Sequence, residues 1–194
     1  MKVRFLLMLA GVMAASPAMS QTVVSMGVGL AHDCFIYAKI GRDPRGGVDT
    51  CNRALQEEAL ARKDRAATLD NRGVLLDLLV RTQDAEDDFT KAIALRPDLG
   101  DAYVNLGSML IKKRQLVEAQ NSIAKGLDLG MSFPHIGYYD LALAEELSGK
   151  YLDAYHHYQK ALEFEPHYAA AEERLKDFTV VRKPASPGAG NNPS

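Results

Sequence analysis

The chain has 194 residues, enough for one domain of ordinary size. Its 23 lysine and arginine residues against 25 aspartate and glutamate residues give a formal charge of -2, which argues against the basic surplus of a nucleic-acid-binding surface. Two cysteines are too few for a disulfide-dense scaffold or for an all-cysteine zinc site. With 47% hydrophobic and 25% charged residues, the composition is that of a soluble globular protein.

Residues 1–20 have the three-part layout of a secretory signal peptide. Two basic residues precede an apolar run over residues 5–15, and small residues stand at Ala18 and Ser20. The apolar run is shorter than the ~20 residues that a bilayer-spanning helix needs, so we expect no stable membrane span. The pattern predicts cleavage after Ser20 and a periplasmic or secreted protein of a bacterial envelope.

Residues 21–65 predict a degenerate helical hairpin. Their apolar periodicity indicates two helices separated by a glycine- and proline-rich loop over residues 41–47. Cys34 is expected on the first helix and Cys51 on the second, both facing inward. Cysteines of exported proteins are more often paired than free. We therefore hypothesise a disulfide between them that contributes about 3 kcal/mol; two buried free thiols are the alternative.

A period of about 34 residues organises the middle of the chain. The stretches 72–97, 106–131 and 141–166 align with one another, with offsets of 34 and then 35 residues. Apolar residues recur at helical spacing in both halves of each stretch, which predicts antiparallel helix pairs. Only a small side chain fits where two such helices cross closely. Small residues align at Gly73, Gly107 and Ala142. Alanines align at Ala85, Ala119 and Ala154, and bulky residues align at Phe89, Ile123 and Tyr158.

These stretches resemble tetratricopeptide repeats. The third carries the family's pattern in phase, with Tyr138, Leu141, Ala142, Gly149, Tyr151, Ala154, Tyr158, Ala161 and Pro166. Two positions depart from the pattern: Arg72 stands at a leucine position of the first repeat, and Glu145 replaces an aromatic residue in the third. The resemblance implies an all-α fold, a right-handed α-solenoid of helical hairpins with three full repeats over residues 66–166.

The ends of the repeat array are also predicted. Asp64 is a candidate N-cap for the first full repeat. Residues 167–180 continue as an amphipathic capping helix, with Ala170, Leu175 and Phe178 facing inward. The tail, residues 181–194, is rich in proline and glycine and is expected to be disordered.

The resemblance further implies a concave groove lined by the first helix of each repeat, which takes a peptide. Asn71 and Asn105 occupy the position where the family grips a peptide backbone, although a surface asparagine without a ligand is an equal alternative. Five carboxylates face the single cation Lys112, so we expect a basic or apolar-basic protein segment as partner. The predicted groove residues are Asp70, Asn71, Asp77, Asp101, Asn105, Lys112, Tyr139, Asp140 and Glu146.

The sequence contains no recognisable motif for catalysis or for binding a cofactor. No phosphate-binding loop or nucleophile elbow is present, and the adjacent His156 and His157 point about 100° apart on a helix, so they cannot chelate a metal together. We expect no enzyme, no cofactor and no metal.

The sequence therefore predicts an exported, non-catalytic protein–protein interaction module. Two alternatives stay open: a structural envelope protein that self-associates into a homo-oligomer, and a binder of a cell-wall fragment in which Tyr103 and Tyr139 stack on a sugar. The basic residues Arg182 and Lys183 of the tail could also occupy the acidic groove.

Overall fold

A computed structural model describes residues 29–178, so the predicted signal peptide and the predicted disordered tail lie outside the described residues. The described part is built from α-helices and contains no strand. No helix within it combines the length and the apolar composition that crossing a bilayer requires. The helices are α1 Leu30–Ile40, α2 Pro44–Glu57, α3 Arg62–Leu78, α4 Thr82–Leu95, α5 Gly100–Lys112, α6 Leu116–Leu129, α7 Pro134–Leu147, α8 Tyr151–Phe164 and α9 Ala169–Leu175.

The helices pair as successive hairpins. Each odd-numbered helix from α1 to α7 packs against the even-numbered helix that follows it, and we call these the first and second helices of a hairpin. The first helices also contact one another in series, α1 with α3, α3 with α5 and α5 with α7. This is the all-α solenoid of helical hairpins that the repeat pattern predicts.

Small residues stand at the closest crossings within the hairpins. A Cβ added to Gly73 would lie 2.5 Å from Cε1 of Phe89, and one added to Gly107 would overlap the side chain of Ile123. Ala142, the aligned residue of the third repeat, is fully buried. Gly73 and Gly107 thus lie at helix crossings as predicted, and the side chain that a Cβ would meet at each is the bulky one of the same repeat.

The second helices of the first and third repeats end where proline follows. Proline lacks an amide donor and its ring clashes with the preceding turn. Accordingly α4 ends at Leu95, two residues before Pro97, and α8 ends at Phe164, two residues before Pro166.

Polar contacts fill the two positions that depart from the family pattern. Arg72 forms two hydrogen bonds with Asp88 on α4, at 2.6 and 2.7 Å, and a third with Asn52 on α2 at 2.6 Å. Asp88 is only 2% exposed, so this ion pair replaces the apolar packing of a leucine with a buried polar junction of three helices. Glu145 is likewise buried and bonds to His157.

The degenerate hairpin carries the two cysteines. Cys34 on α1 and Cys51 on α2 are fully buried, their Cα atoms are 4.8 Å apart, and their sulfur atoms are bonded in the structure. They pack in one cluster with Leu75 and Phe89 of the first full repeat. The hairpin is therefore joined to the solenoid by a continuous apolar core.

Three local predictions are wrong. The loop predicted over residues 41–47 is shorter, because α2 begins at Pro44, a residue type that fits the first turn of a helix. The helix α3 begins at Arg62 with Ala61 as its N-cap, so Asp64 lies inside the first turn, where a carboxylate stabilises the helix dipole instead of capping it. In the capping helix, Ala171 is the fully buried alanine, and Ala170 is only partly buried. The repeat period explains this, because small buried side chains recur at aligned positions: Thr68, Ala102, Gly137 and Ala171.

Candidate functional site

The nine residues predicted to line a groove lie on three neighbouring helices, α3, α5 and α7. Side-chain bonds between these helices join most of them. The bonds run from one first helix to the next, so the predicted groove face is also the surface that holds successive repeats together.

Asp70 on α3 is joined to Asn105 on α5. The amide Nδ2 of Asn105 donates to Oδ1 of Asp70 over 2.9 Å, and Asp70 is only 7% exposed. Burial raises the pKa of Asp70 to about 7, since removal from water penalises the ionised form; the nearby charge of Asp101 raises it further, and the bond from Asn105 opposes the rise. Asp70 therefore titrates near neutral pH.

Asp140 on α7 is joined to Ser108 on α5. The hydroxyl of Ser108 donates to Oδ2 of Asp140. Burial raises the pKa of Asp140 to about 6, while the Ser108 bond and the charge of Lys112 partly oppose this rise. A second carboxylate of the groove thus changes charge within the physiological range.

The other three carboxylates are also bound within the chain. Both oxygens of Asp77 accept from Nζ of Lys112 at 2.6 Å, an exposed pair of small energetic weight. Asp101 accepts from the backbone amide and the hydroxyl of Ser132, at 3.0 and 3.3 Å. Glu146 accepts from the hydroxyl of Tyr158 at 2.7 Å.

Arg174 is a groove residue that the sequence interpretation did not include. Its Nη1 lies 3.3 Å from Oε1 of Glu146. Counting onward by the repeat period would have found it, because it continues the aligned series Asn71, Asn105, Asp140 and Arg174 at intervals of 34, 35 and 34 residues. Five carboxylates stand against the two cations Lys112 and Arg174, so the groove face is negatively charged, and its charge becomes less negative as Asp70 and Asp140 take up protons.

Tyr139 belongs to an aromatic cluster. Its ring centroid is 5.5 Å from those of Tyr158 and Tyr168, the second contact being edge-to-face, and Tyr168 also contacts His135 at 4.9 Å. The ring is thus packed against α8 and the residue preceding α9.

Asn71 differs from the other predicted groove residues. It is partly exposed, and its amide makes no hydrogen bond with residues 29–178. An asparagine amide can donate and accept at the same time, which matches the paired donor and acceptor of a peptide backbone.

A metal site has no support among the described residues. No group of three or more histidine, cysteine, aspartate or glutamate side chains within residues 29–178 is arranged to hold a metal ion. The chemistry available on the face of α3, α5 and α7 is hydrogen bonding and charge.

No protein-family model matches the chain, and no curated protein matches it in sequence. Solved structures do match in fold. The first tetratricopeptide domain of Spaghetti (RPAP3), solved with the HSP90 peptide SRMEEVD, is 20% identical with a TM-score of 0.56 and covers 59% of this chain and 90% of that one.

Two further structures cover more of the chain. MamA from Desulfovibrio magneticus is 21% identical with a TM-score of 0.58, covering 78% of this chain and 84% of that one. YrrB, described as a tetratricopeptide-repeat protein with an unusual peptide-binding site, is 17% identical with a TM-score of 0.59, covering 76% and 73%. These similarities establish the fold.

Proposed function

We propose that this chain, which has the tetratricopeptide-repeat fold, is an exported, non-catalytic interaction module that binds a protein segment along α3, α5 and α7. One observation carries the proposal: five of the nine predicted groove side chains are hydrogen-bonded between successive first helices, while the amide of Asn71 has no partner among the described residues. A face whose side chains are already fixed loses little conformational entropy when a ligand binds.

The structural neighbours support a peptide as the ligand. RPAP3 was solved with the peptide SRMEEVD, and YrrB is described as having a peptide-binding site. The likeness in fold makes the same class of ligand the leading candidate for this chain.

The charge of the groove favours a basic or apolar-basic segment. Its two cations, Lys112 and Arg174, are both bound to carboxylates, so an acidic peptide such as SRMEEVD would have to compete with Asp77 and Glu146. A lysine or arginine of the ligand instead meets a face on which carboxylates outnumber cations.

Export is proposed from the sequence of residues 1–20 and is consistent with the cysteine pair. A disulfide between Cys34 and Cys51 persists in an oxidising compartment and is reduced in a cytosol. We therefore assign the protein to the periplasm or the extracellular space. Fractionation of cells expressing the full chain tests this assignment, and recovery of the protein in the cytosol with residues 1–20 retained would contradict it.

The binding proposal is tested with a peptide array probed with the full chain. Basic and apolar-basic sequences should be retained and acidic ones should not. Asn71→Ala should weaken the best peptide about 5- to 10-fold, the effect of losing one or two hydrogen bonds. Asn121→Ala, which removes an exposed amide on α6, is the matched control and should leave affinity unchanged. Preference for acidic peptides, or equal effects of the two variants, would reject the groove as the binding site.

A further inference from the structure

The turns that connect the two helices of each hairpin form one continuous surface, which we call the turn edge: residues 39–45, 77–84, 111–118 and 146–153. Successive parts of it lie next to one another. A Cβ on Gly41 would lie 3.7 Å from Leu78, and Lys112 bonds Asp77 at 2.6 Å. The amide of Gln120, on α6 just beyond the third turn, lies 2.9 Å from Ser148 of the fourth.

Exposed apolar side chains are concentrated on the turn edge. Of the ten large apolar side chains most exposed within residues 29–178, seven lie there. Its N-terminal half presents Ile40, Leu78 and Val80, which are 57%, 51% and 83% exposed. Seven exposed apolar side chains along one edge depart from the even scatter of an ordinary surface, and such a concentration is typical of an interaction surface.

The C-terminal half repeats the pattern. Val117, Tyr151 and Leu152 are 66%, 61% and 67% exposed, at the beginnings of α6 and α8. Val117 and Leu152 are 35 residues apart and so occupy the same position of successive repeats. The apolar side chains therefore project from turns at intervals set by the repeat, and they do not line a closed groove.

Val80 is costly to the fold where it stands. Its φ of 60° is left-handed, a conformation that a β-branched residue rarely adopts, and the corresponding residue of the third repeat is Gly149, with φ 78°. Since Val80 is also 83% exposed, packing within the described chain does not offset this cost.

The turn edge is positively charged on a negatively charged body. Its four segments hold eight lysine and arginine residues against six aspartate and glutamate residues, whereas residues 29–178 together hold 19 against 25. No carboxylate within residues 29–178 pairs with Arg42, Arg45 or Arg114, and Lys150 bonds only the neutral amide of Gln120.

From this juxtaposition of projecting apolar side chains and unpaired cations, we infer that the turn edge docks onto an anionic lipid bilayer surface. The apolar side chains enter the interface, the tyrosine lies at headgroup level, and the arginine and lysine side chains meet the phosphates. A second copy of the chain fits less well, because a two-fold contact through this edge would bring the same unpaired cations face to face. This surface borders the groove of α3, α5 and α7 and shares Asp77, Lys112 and Glu146 with it, but its exposed apolar side chains and unpaired cations are not among the predicted groove residues.

The chain contains no tryptophan, which permits a site-specific test. In the full chain, Leu152→Trp is compared with Phe133→Trp, a residue 46% exposed at the opposite edge, before α7. With vesicles of phosphatidylcholine and phosphatidylglycerol, the emission of the Leu152→Trp protein should shift to the blue and be quenched by brominated lipid, and that of Phe133→Trp should not. Both probes share residues 1–28, so any binding through that segment cancels in the comparison.

The contribution of the cations to vesicle binding is tested by adding Arg114→Gln and Lys150→Gln, singly and together, to the Leu152→Trp protein. Each lost charge should weaken vesicle binding about 5-fold, and the pair about 30-fold. The inference is overturned if both tryptophans respond alike, if neither responds, or if the two glutamines leave binding unchanged. A shift that grows with protein concentration in the absence of vesicles would assign the edge to a second copy and would also overturn it.

Discussion

Glu145 on α7 and His157 on α8 are joined by a 2.6 Å contact between Oε2 and Nδ1. The contact stands where the third repeat lacks the aromatic side chain of its family pattern. Glu145 is only 7% exposed, and Tyr138 stacks on the His157 ring at 6.0 Å. The histidine thus provides both the hydrogen-bond partner and part of the ring packing that the substitution by glutamate would otherwise leave out.

His157→Ala should therefore destabilise the protein. It leaves the Glu145 carboxyl buried without its partner, a loss of about 1–3 kcal/mol. Urea unfolding at neutral pH measures the change in the free energy of unfolding. The adjacent His156 is exposed, so His156→Ala is the control, with an expected effect within about 0.5 kcal/mol. Equal effects of the two alanines would show that the Glu145 contact does not stabilise the fold.

Val80→Gly should stabilise the protein in the absence of any partner. Glycine removes the strain of the left-handed conformation, which stabilises the folded chain by about 1–2 kcal/mol. Its greater freedom in the unfolded chain costs about 0.5–1 kcal/mol, so the free energy of unfolding should rise by about 1 kcal/mol. The reverse change at the aligned position, Gly149→Val, should destabilise by a similar amount, because Gly149 has a φ of 78° and open space around it. Thermal unfolding should show a higher Tm for Val80→Gly and a lower Tm for Gly149→Val than for the wild-type chain. A lower Tm for Val80→Gly would contradict the claim that Val80 is strained.

Removal of the cysteine pair should cost about 3 kcal/mol, since the bond closes a loop between residues 17 apart. The double variant Cys34→Ala, Cys51→Ala is compared with the wild-type chain by urea unfolding, with and without a thiol reductant. The reductant should lower the stability of the wild-type chain and leave that of the double variant unchanged. Mass spectrometry after thiol trapping provides an independent check, and two labelled cysteines in oxidatively folded protein would contradict the bond.

Asp70 should make stability fall as pH rises from about 4 towards 7. Its pKa is raised to about 7 in the folded state from an ordinary 3.8, so the folded chain binds more protons than the unfolded chain in that window. The stabilisation that Asp70 provides is largest below the pKa of the unfolded chain and is lost as the pH rises through the pKa of the folded chain. In that window the free energy of unfolding should fall by up to about 1.4 kcal/mol per pH unit. Asp70→Asn should flatten the profile of stability against pH.

Asn105→Ala provides the companion measurement. The bond from Asn105 favours the ionised form of Asp70, so its removal should raise the pKa of Asp70 further. NMR titration of the Asp70 carboxyl carbon in both proteins measures the shift. A midpoint near 4 in the wild-type chain would contradict the role assigned to burial.

The periodic features of the fold were predictable from the sequence. Gly73 and Gly107 recur because each helix crossing excludes a larger side chain, and the all-α fold implied by the tetratricopeptide resemblance is confirmed at the level of the structure. The burial of Ala171, in place of Ala170, follows from the same period, and the error came from treating the capping helix as an isolated amphipathic segment.

The bonds across the groove face were not predictable in the same way. Periodicity assigns Asp70 and Asp140 to the face of a helix, but the partner of each carboxylate depends on the offset and twist between neighbouring hairpins. Those relationships place Asn105 and Ser108 within reach. Arg174 was missed because the repeats were counted only to Pro166. Whether the nine predicted residues bind a peptide stays a prediction.

The two ends of the repeat array differ in how strongly their terminal helices are held. At one end, the Cys34–Cys51 bond ties α1 to α2 covalently inside an apolar core shared with the next repeat. At the other, α9 has only seven residues. In a stack whose units contact mainly their neighbours, opening starts at the weaker end. Amide hydrogen exchange should therefore be fastest in α9 and slow down along the solenoid towards α1, so the molecule should unfold from its C-terminal end.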